Sequence, residues 1–243
     1  MTTLSIAARF NGPPASAHGG YTAGLLGAAI DGPAEVTLLA PPPLETAMEL
    51  VAGDGGTVVL RDGDRDVASG RPTTVDVGAP PAAAVAEIRV AMPSREVLRT
   101  SHPFPTCFGC GPDRDDGDGL CLFAGEVDPA ARVWGVTWTP DGDGAVDPVL
   151  VWAALDCPSS APAQDPTGER PIVLGRFAVD LLAEVPAGGA EHRILSAPLR
   201  HEGRKRTNAV WLLDADDAVL AAGRATWIEL KPDDAAARRG DGR

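Results

Sequence analysis

His18-Gly19-Gly20 stands where a helical apolar pattern begins, and that position is chemically useful. A helix N-terminus presents N–H groups without intrahelical acceptors and carries a partial positive charge. Glycine lets a carbonyl approach that backbone closely. The N–H of Gly19 or Gly20 could therefore polarise a carbonyl and hold an oxyanion. Gly203-Arg204-Lys205-Arg206 is the densest basic run in the chain. Its charge and donor geometry suit phosphate, and the run equally suits a solvated loop that balances nearby acids. Cys107 and Cys110 form a lone C-x-x-C. Structural zinc usually takes four ligands. Cys121 and His102 would complete the count, but the spacing is no zinc signature. The expectation is no metal, with a buried thiol pair ordering the segment around it. Asp113, Asp115, Asp116 and Asp118 resemble a calcium loop only until its twelfth position, which is Ala124 where Glu is needed. The chain holds no G-x-S-x-G elbow, Gly-rich phosphate loop or dinucleotide fingerprint.

The elements that must position these residues follow from the pattern. Ser16 is a suitable cap for a helix reaching Ile30, with Tyr21, Leu25, Leu26 and Ile30 on its apolar face. Asp31-Gly32-Pro33 stops it. Strands are expected at 35–39, 46–50, 57–60 and 71–77, then a connector with a short helix at 82–90. Residues 102–119 read as an irregular acidic loop. Strands at 120–126 and 133–139, a helix at 149–155 and a loop at 165–170 come next. Strands at 175–185, 191–199, 207–213 and 220–230 complete the pattern. Residues 231–243 are polar and charged, the composition of a disordered tail.

The chain also repeats itself. Leu60 … Ala68-Ser69-Gly70-Arg71-Pro72-Thr73-Thr74-Val75-Asp76-Val77 and Leu213 … Ala221-Ala222-Gly223-Arg224-Ala225-Thr226-Trp227-Ile228-Glu229-Leu230 keep one constant offset. Small residue, Gly, Arg, Thr and acid fall in register. One structural unit is therefore expected twice, each copy a helix followed by an antiparallel meander. With 243 residues and 44% apolar composition there is material for two such units. The net charge of -13 argues against a nucleic-acid partner. No apolar run is long enough for a membrane span, and no secretory signal is visible at the start. Four cysteines make no disulfide scaffold, so a reduced, cytoplasmic protein is expected. The Ala, Gly, Pro, Asp and Arg bias with few Lys has the flavour of a GC-rich, actinobacterial genome.

Three stretches carry a family resemblance. Phe10-Asn11-Gly12 … His18-Gly19-Gly20 is similar to the N-G … H-G-G signature of phenylacetyl-CoA-type thioesterases. Cys107-Phe108-Gly109-Cys110-Gly111-Pro112 … Gly119-Leu120 resembles a segment opening many members of that superfamily. Trp152-Ala153-Ala154-Leu155-Asp156 is similar to the helix bearing their catalytic acid. The resemblance implies an α+β double hotdog, two tandem hotdog units whose continuous antiparallel sheet wraps two central helices. The units would span 1–95 and 120–230, joined by a linker with the C-x-x-C loop at 96–119 and followed by the tail at 231–243.

In such families the acid lies nine residues after the His. The first copy has Gly27 there; the second has Asp156, but Asp147 in place of the His. Since the family builds its sites across the pair, His18-Gly19-Gly20 facing Asp156 would make one complete site. Asp147 facing Gly27 would make a dead one. The resemblance then implies hydrolysis of an acyl-CoA to free acid and CoA, with CoA as part of the substrate and no other cofactor. Asp156 would attack directly or, the favoured reading, activate water as general base. Asn11 and His18 would orient the carbonyl, the water or the helix start. Tyr21 and Trp152 would line the acyl pocket, and Arg204, Lys205 and Arg206 would meet the CoA phosphates. Ala23, Gly24, Gly27, Ala28 and Ala29 would leave room for a bulky apolar acyl group of the kind specialised metabolism makes. The competing readings are a dehydratase or hydratase using His18 with Asp156, and a non-catalytic acyl-CoA-binding protein in which Asp156 is merely the polar end of a helix. Homodimerisation is compatible with the sequence.

Overall fold

The computed structural model describes residues 2–164 and 170–231. The expected loop at 165–170, except its last residue, and the expected tail beyond residue 231 lie outside them. The first half of the chain gives β1 (Thr2–Leu4), α1 (Gly19–Gly27), β2 (Ala34–Leu38), β3 (Met48–Ala52), β4 (Val58–Asp62) and β5 (Arg65–Pro72). Two short helices follow, α2 (Val85–Ala91) and α3 (Arg95–Arg99). The second half gives β6 (Gly125–Asp128), β7 (Val133–Trp138), α4 (Pro148–Ser160), β8 (Ile172–Leu181), β9 (His192–Glu202), β10 (Lys205–Leu213) and β11 (Val219–Glu229).

The strands form one sheet in the order β1-β3-β4-β5-β2-β8-β11-β10-β9-β7-β6. From its centre the order runs β2, β5, β4, β3, β1 one way and β8, β11, β10, β9, β7 the other. That mirror order is the repeat in three dimensions, with Leu60 on β4 answering Leu213 on β10. The halves join where β2 runs antiparallel to β8, with Val36 opposite Phe177. Helices α1 and α4 pack on each other and on one shared core containing Leu26, Leu60, Leu155, Phe177 and Leu212. A second, smaller core lies where α2 and its approach cover β9 and β10 through Ile88, Leu195 and Trp211.

The repeated Gly-Arg has a structural reason. A Cβ on Gly70 would sit 3.0 Å from Ile30 and Val58, and one on Gly223 would meet Phe177 at 3.1 Å. Arg71 and Arg224 converge on one acid, Glu35 of β2. Arg71 Nη2 donates to Glu35 Oε1 at 2.7 Å, Arg224 Nη2 lies 3.7 Å from Oε2, and Arg176 of β8 adds a third guanidinium at 3.9 Å. Strand alternation puts Glu35 on the face opposite core residue Val36. The Glu35 side chain is only 6% exposed, whereas those of Arg71 and Arg176 are 63% and 52% exposed. Water therefore keeps part of the cations' solvation when the acid is removed. Glu35→Ala should cost about 1–2 kcal/mol, the low end for hydrogen bonds to charge. Urea unfolding checks it; a loss below about 0.5 kcal/mol would mean that the seam gains nothing from this cluster.

Several boundaries differ from the sequence expectation. Helix α1 starts at Gly19, and His18 rather than Ser16 is its cap. The last strand of the first half ends at Pro72, so the expected strand at 71–77 is mostly connector. The strand expected at 120–126 gives way to β6 further on, because Leu120 and Leu122 donate their N–H groups to Phe108 and Gly109 carbonyls of the preceding loop. Helix α4 continues past Leu155 to Ser160 with Pro158 inside it. Proline removes one helical bond, that to the Ala154 carbonyl, and side chains reach two carbonyls of the last turn. Ser196 Oγ donates to the Pro158 carbonyl at 2.8 Å and Asn208 Nδ2 to that of Ser159 at 2.7 Å. Asp156 is therefore interior to the helix, not its polar end.

Candidate active site

The site is built where α1 crosses α4. A Cβ on Gly20 would lie 2.4 Å from Asp156 Cβ, one on Gly24 would lie 3.0 Å from Val149 Cα, and one on Gly27 would lie 2.7 Å from the Trp152 ring. These glycines let the two backbones approach. Gly24 and Gly27 thus make room for α4, and Ala28 and Ala29 are exposed, which corrects the expectation that these small residues make room for an acyl group. Trp152 fills the space beside Gly27, and Asp147 caps α4 by accepting from the Val149 N–H at 2.8 Å.

The close crossing delivers Asp156 to the first turn of α1. Asp156 Oδ2 accepts from the Gly20 N–H at 2.6 Å and lies 3.3 Å from His18 Nε2. Its Oδ1 is buried with no hydrogen-bond partner among the described residues. Burial pushes the Asp156 pKa up to about 6, against the opposing pull of His18 and the Gly20 N–H. His18 is 1% exposed, and its Nδ1 accepts from the Tyr21 N–H at 3.3 Å. Burial lowers the His18 pKa, but the charges of Asp156 and Cys107 outweigh it and the net shift is upward. The Gly20 N–H is committed to the carboxylate. The Gly19 N–H has no protein acceptor among the described residues, and Gly19 lines the adjoining cavity.

That cavity has a volume of about 650 Å³. His18, Gly19, Asp156 and Cys157 form one polar wall, and Leu38, Phe104, Leu174 and Trp227 contribute apolar surface. Arg204 lines it as well, with its Nη1 donating to the Glu229 carbonyl at 2.9 Å. The cavity walls on β8 and β11 were not singled out from the sequence, because alternation marks them only as core.

The expected site residues are thus partly brought together. His18, Gly19, Gly20 and Asp156 meet, and Arg204 shares their cavity. Asn11 does not reach the cavity; its Nδ2 donates to the Gly12 carbonyl and Thr106 Oγ1, its Oδ1 accepts from Arg114, and it anchors a loop. Tyr21 stacks on Phe10 with centroids 4.0 Å apart, and Trp152 packs edge-on against Phe177; neither lines the cavity. The basic run is split by strand geometry. Lys205 lines a separate groove, and Arg206 is engaged by Glu229 Oε2 at 3.1 Å and by His201. Cys157 is the neighbour that sequence reasoning missed. Its Sγ lies 3.3 Å from His18 Nε2 and 3.7 Å from Cys107 Sγ.

No protein-family model matches the chain, and no curated protein matches it. Solved structures do. A hot dog fold protein of unknown function from Alicyclobacillus acidocaldarius is similar over 95% of this chain and 93% of its own, with TM-score 0.60 and 12% identity. An acyl-CoA thioesterase II from Mycobacterium marinum is similar over 96% and 93%, with TM-score 0.58 and 13% identity. The tesB protein of Mycobacterium avium subsp. paratuberculosis is similar over 94% and 92%, with TM-score 0.59 and 13% identity. The fold is therefore a double hotdog, shared with these structures. No described helix is long and apolar enough to cross a membrane.

Proposed function

We propose that this protein hydrolyses an acyl-CoA thioester to a free acid and CoA. The observation that carries the reading is the divided carboxylate of Asp156. One oxygen is fixed on the Gly20 N–H, and the other is buried beside a cavity without a partner among the described residues. An acid held in this way can take a proton from water placed between it and a carbonyl. The Gly19 N–H at the positive end of α1 is placed to hold the oxyanion that forms. Asp156 is then the general base and Gly19 the oxyanion donor, while Gly20 and His18 position Asp156. The size of the cavity and its apolar lining suit a bulky acyl group. Arg204 is the cation suited to a CoA phosphate.

The test is thiol release from a panel running from acetyl-CoA through aryl-CoAs to large polycyclic acyl-CoAs. Turnover of at least one member is expected. Arg204→Ala should raise KM for that acyl-CoA about tenfold, one charge-assisted contact, and leave kcat nearly unchanged. The same variant should treat the matching N-acetylcysteamine thioester, which lacks the nucleotide, like the wild type. Equal KM changes for both substrates would remove Arg204 from CoA recognition. Absence of thiol release across the panel would overturn the reading. Hydration of an enoyl-CoA by the same preparation would move the site to hydratase chemistry, for which His18 and Asp156 at 3.3 Å are also suitably close.

A further inference from the structure

Three thiols and an imidazole converge beside the proposed site from three distant parts of the chain. Cys107 and Cys110 belong to the loop between the halves, Cys157 to α4 and His18 to the start of α1. We propose that Cys107, Cys110, Cys157 and His18 bind a zinc ion, which clips this loop onto both central helices.

The spacing is that of a ligand set. Cys107 Sγ and Cys157 Sγ are 3.7 Å apart, too far for a disulfide. Two sulfurs on one tetrahedral zinc, each about 2.3 Å from it, stand about 3.8 Å apart. His18 Nε2 is 3.3 Å from Cys157 Sγ, and the ligand atoms of His18, Cys107 and Cys157 all lie within 4.8 Å of one another. Cys110 is half-buried and packs against Cys107 and Cys157 at the edge of this three-ligand group, where it is the nearest candidate for the fourth position. All four cysteines of the chain are unpaired, and the two most buried are in this cluster.

The loop is shaped around the cluster. The Gly111 N–H donates to the Cys107 carbonyl at 2.8 Å and closes the C-x-x-C turn. A Cβ on Gly109 would meet Cys157 Sγ at 2.5 Å and His18 Nε2 at 2.7 Å, so only glycine lets the loop lie this close. Zinc uptake replaces the three thiol protons, which pass to solvent, and no electron is transferred. It also moves the remaining imidazole proton to Nδ1, at the cost of the long bond from the Tyr21 N–H. Oδ2 of Asp156 gives up its 3.3 Å contact with His18 Nε2 and keeps its bond from the Gly20 N–H, which in the zinc-bound protein positions it alone. The ligands weighed from sequence, His102 and Cys121, lie elsewhere: His102 Nδ1 accepts from the Phe104 N–H at 3.1 Å, and Cys121 Sγ accepts from Arg95 at 3.5 Å.

Metal content of the full chain, purified from cells grown with zinc, is the first measurement. Uptake of Co²⁺ by chelator-treated protein, read by absorption, is the second. About one zinc per chain is expected, together with a thiolate-to-cobalt charge-transfer band and tetrahedral d–d bands. Cys110→Ser and Cys157→Ser should each weaken metal retention at least tenfold, while Cys121→Ser should match the wild type. Circular dichroism on each variant distinguishes loss of ligand from loss of fold. Stoichiometric zinc, or cobalt uptake with the charge-transfer band, supports the site. Absence of both, a Cys107 disulfide in the purified protein, or undiminished retention in a folded Cys157→Ser overturns it. None of these readouts depends on thioester turnover, so the zinc site and the proposed activity stand or fall separately.

Discussion

Asp156→Asn should lower kcat for thioester hydrolysis by about 10²–10⁴-fold, the usual contribution of a positioned general base. The amide keeps the shape of the carboxylate. Its oxygen can still accept the Gly20 N–H that Oδ2 accepts at 2.6 Å, so α1 and α4 should stay docked. What disappears is the basicity of Oδ1, the buried oxygen beside the cavity that has no partner among the described residues. KM and thermal stability should therefore change little while turnover falls. Asp156→Ala separates the two roles of this side chain. It strands the Gly20 N–H in a buried place and should cost about 1–3 kcal/mol of stability in addition to the rate. Steady-state kinetics with thermal unfolding of both variants checks the pair. Asparagine at wild-type turnover would show that another group activates the water.

Gly20→Ala is the second large effect. The added methyl carbon falls 2.4 Å from Asp156 Cβ and 2.7 Å from the Trp152 carbonyl, so neither helix can accept it unmoved. Overpacking of this kind costs about 1–3 kcal/mol, and in a chain of this length each 1 kcal/mol lowers Tm by about 2–4 °C. The helices must separate, and the carboxylate moves relative to the Gly19 N–H. A misplacement of about 1 Å can cost about 10²-fold in rate. We expect at least that loss in kcat, with a Tm reduced by several degrees. Gly19→Ala is the comparison. Its methyl meets Leu174 Cβ and Cδ2 at 3.0 Å and Leu38 Cδ1 at 3.2 Å, contacts relieved by shifts of a few tenths of an ångström. If Gly19→Ala were the more destabilising of the two, the close crossing of α1 and α4 would not be what fixes Asp156.

Periodicity, glycine placement and the repeat carried the main architecture. They marked the two helices, most of the strands and the repetition of one unit in a continuous sheet, because each signal is local or recurs in the chain itself; the strand order and its β2–β8 junction came from the structure. His18, Gly19, Gly20 and Asp156 were legible as a group only through a family spacing rule, and the structure brings His18 and Gly20 within hydrogen-bonding distance of Asp156, with Gly19 between them in the chain. Other assignments failed for one shared reason. Tyr21 and Trp152 are apolar helix residues, and sequence alone does not say which side of a helix faces a cavity and which faces its neighbour. The glycines of α1 read as empty space, yet α4 occupies it. Lys205 and Arg206 are adjacent in sequence, but a strand sends them to opposite faces. The thiol cluster was out of reach because Cys107 and Cys157 are 50 residues apart and belong to different elements. The sequence by itself determined which elements form and how often the unit occurs, since backbone preference and hydrophobic period act over a few residues. Only the tertiary structure decided what Asp156, His18 and the cysteines face, since that depends on how closely two helices cross.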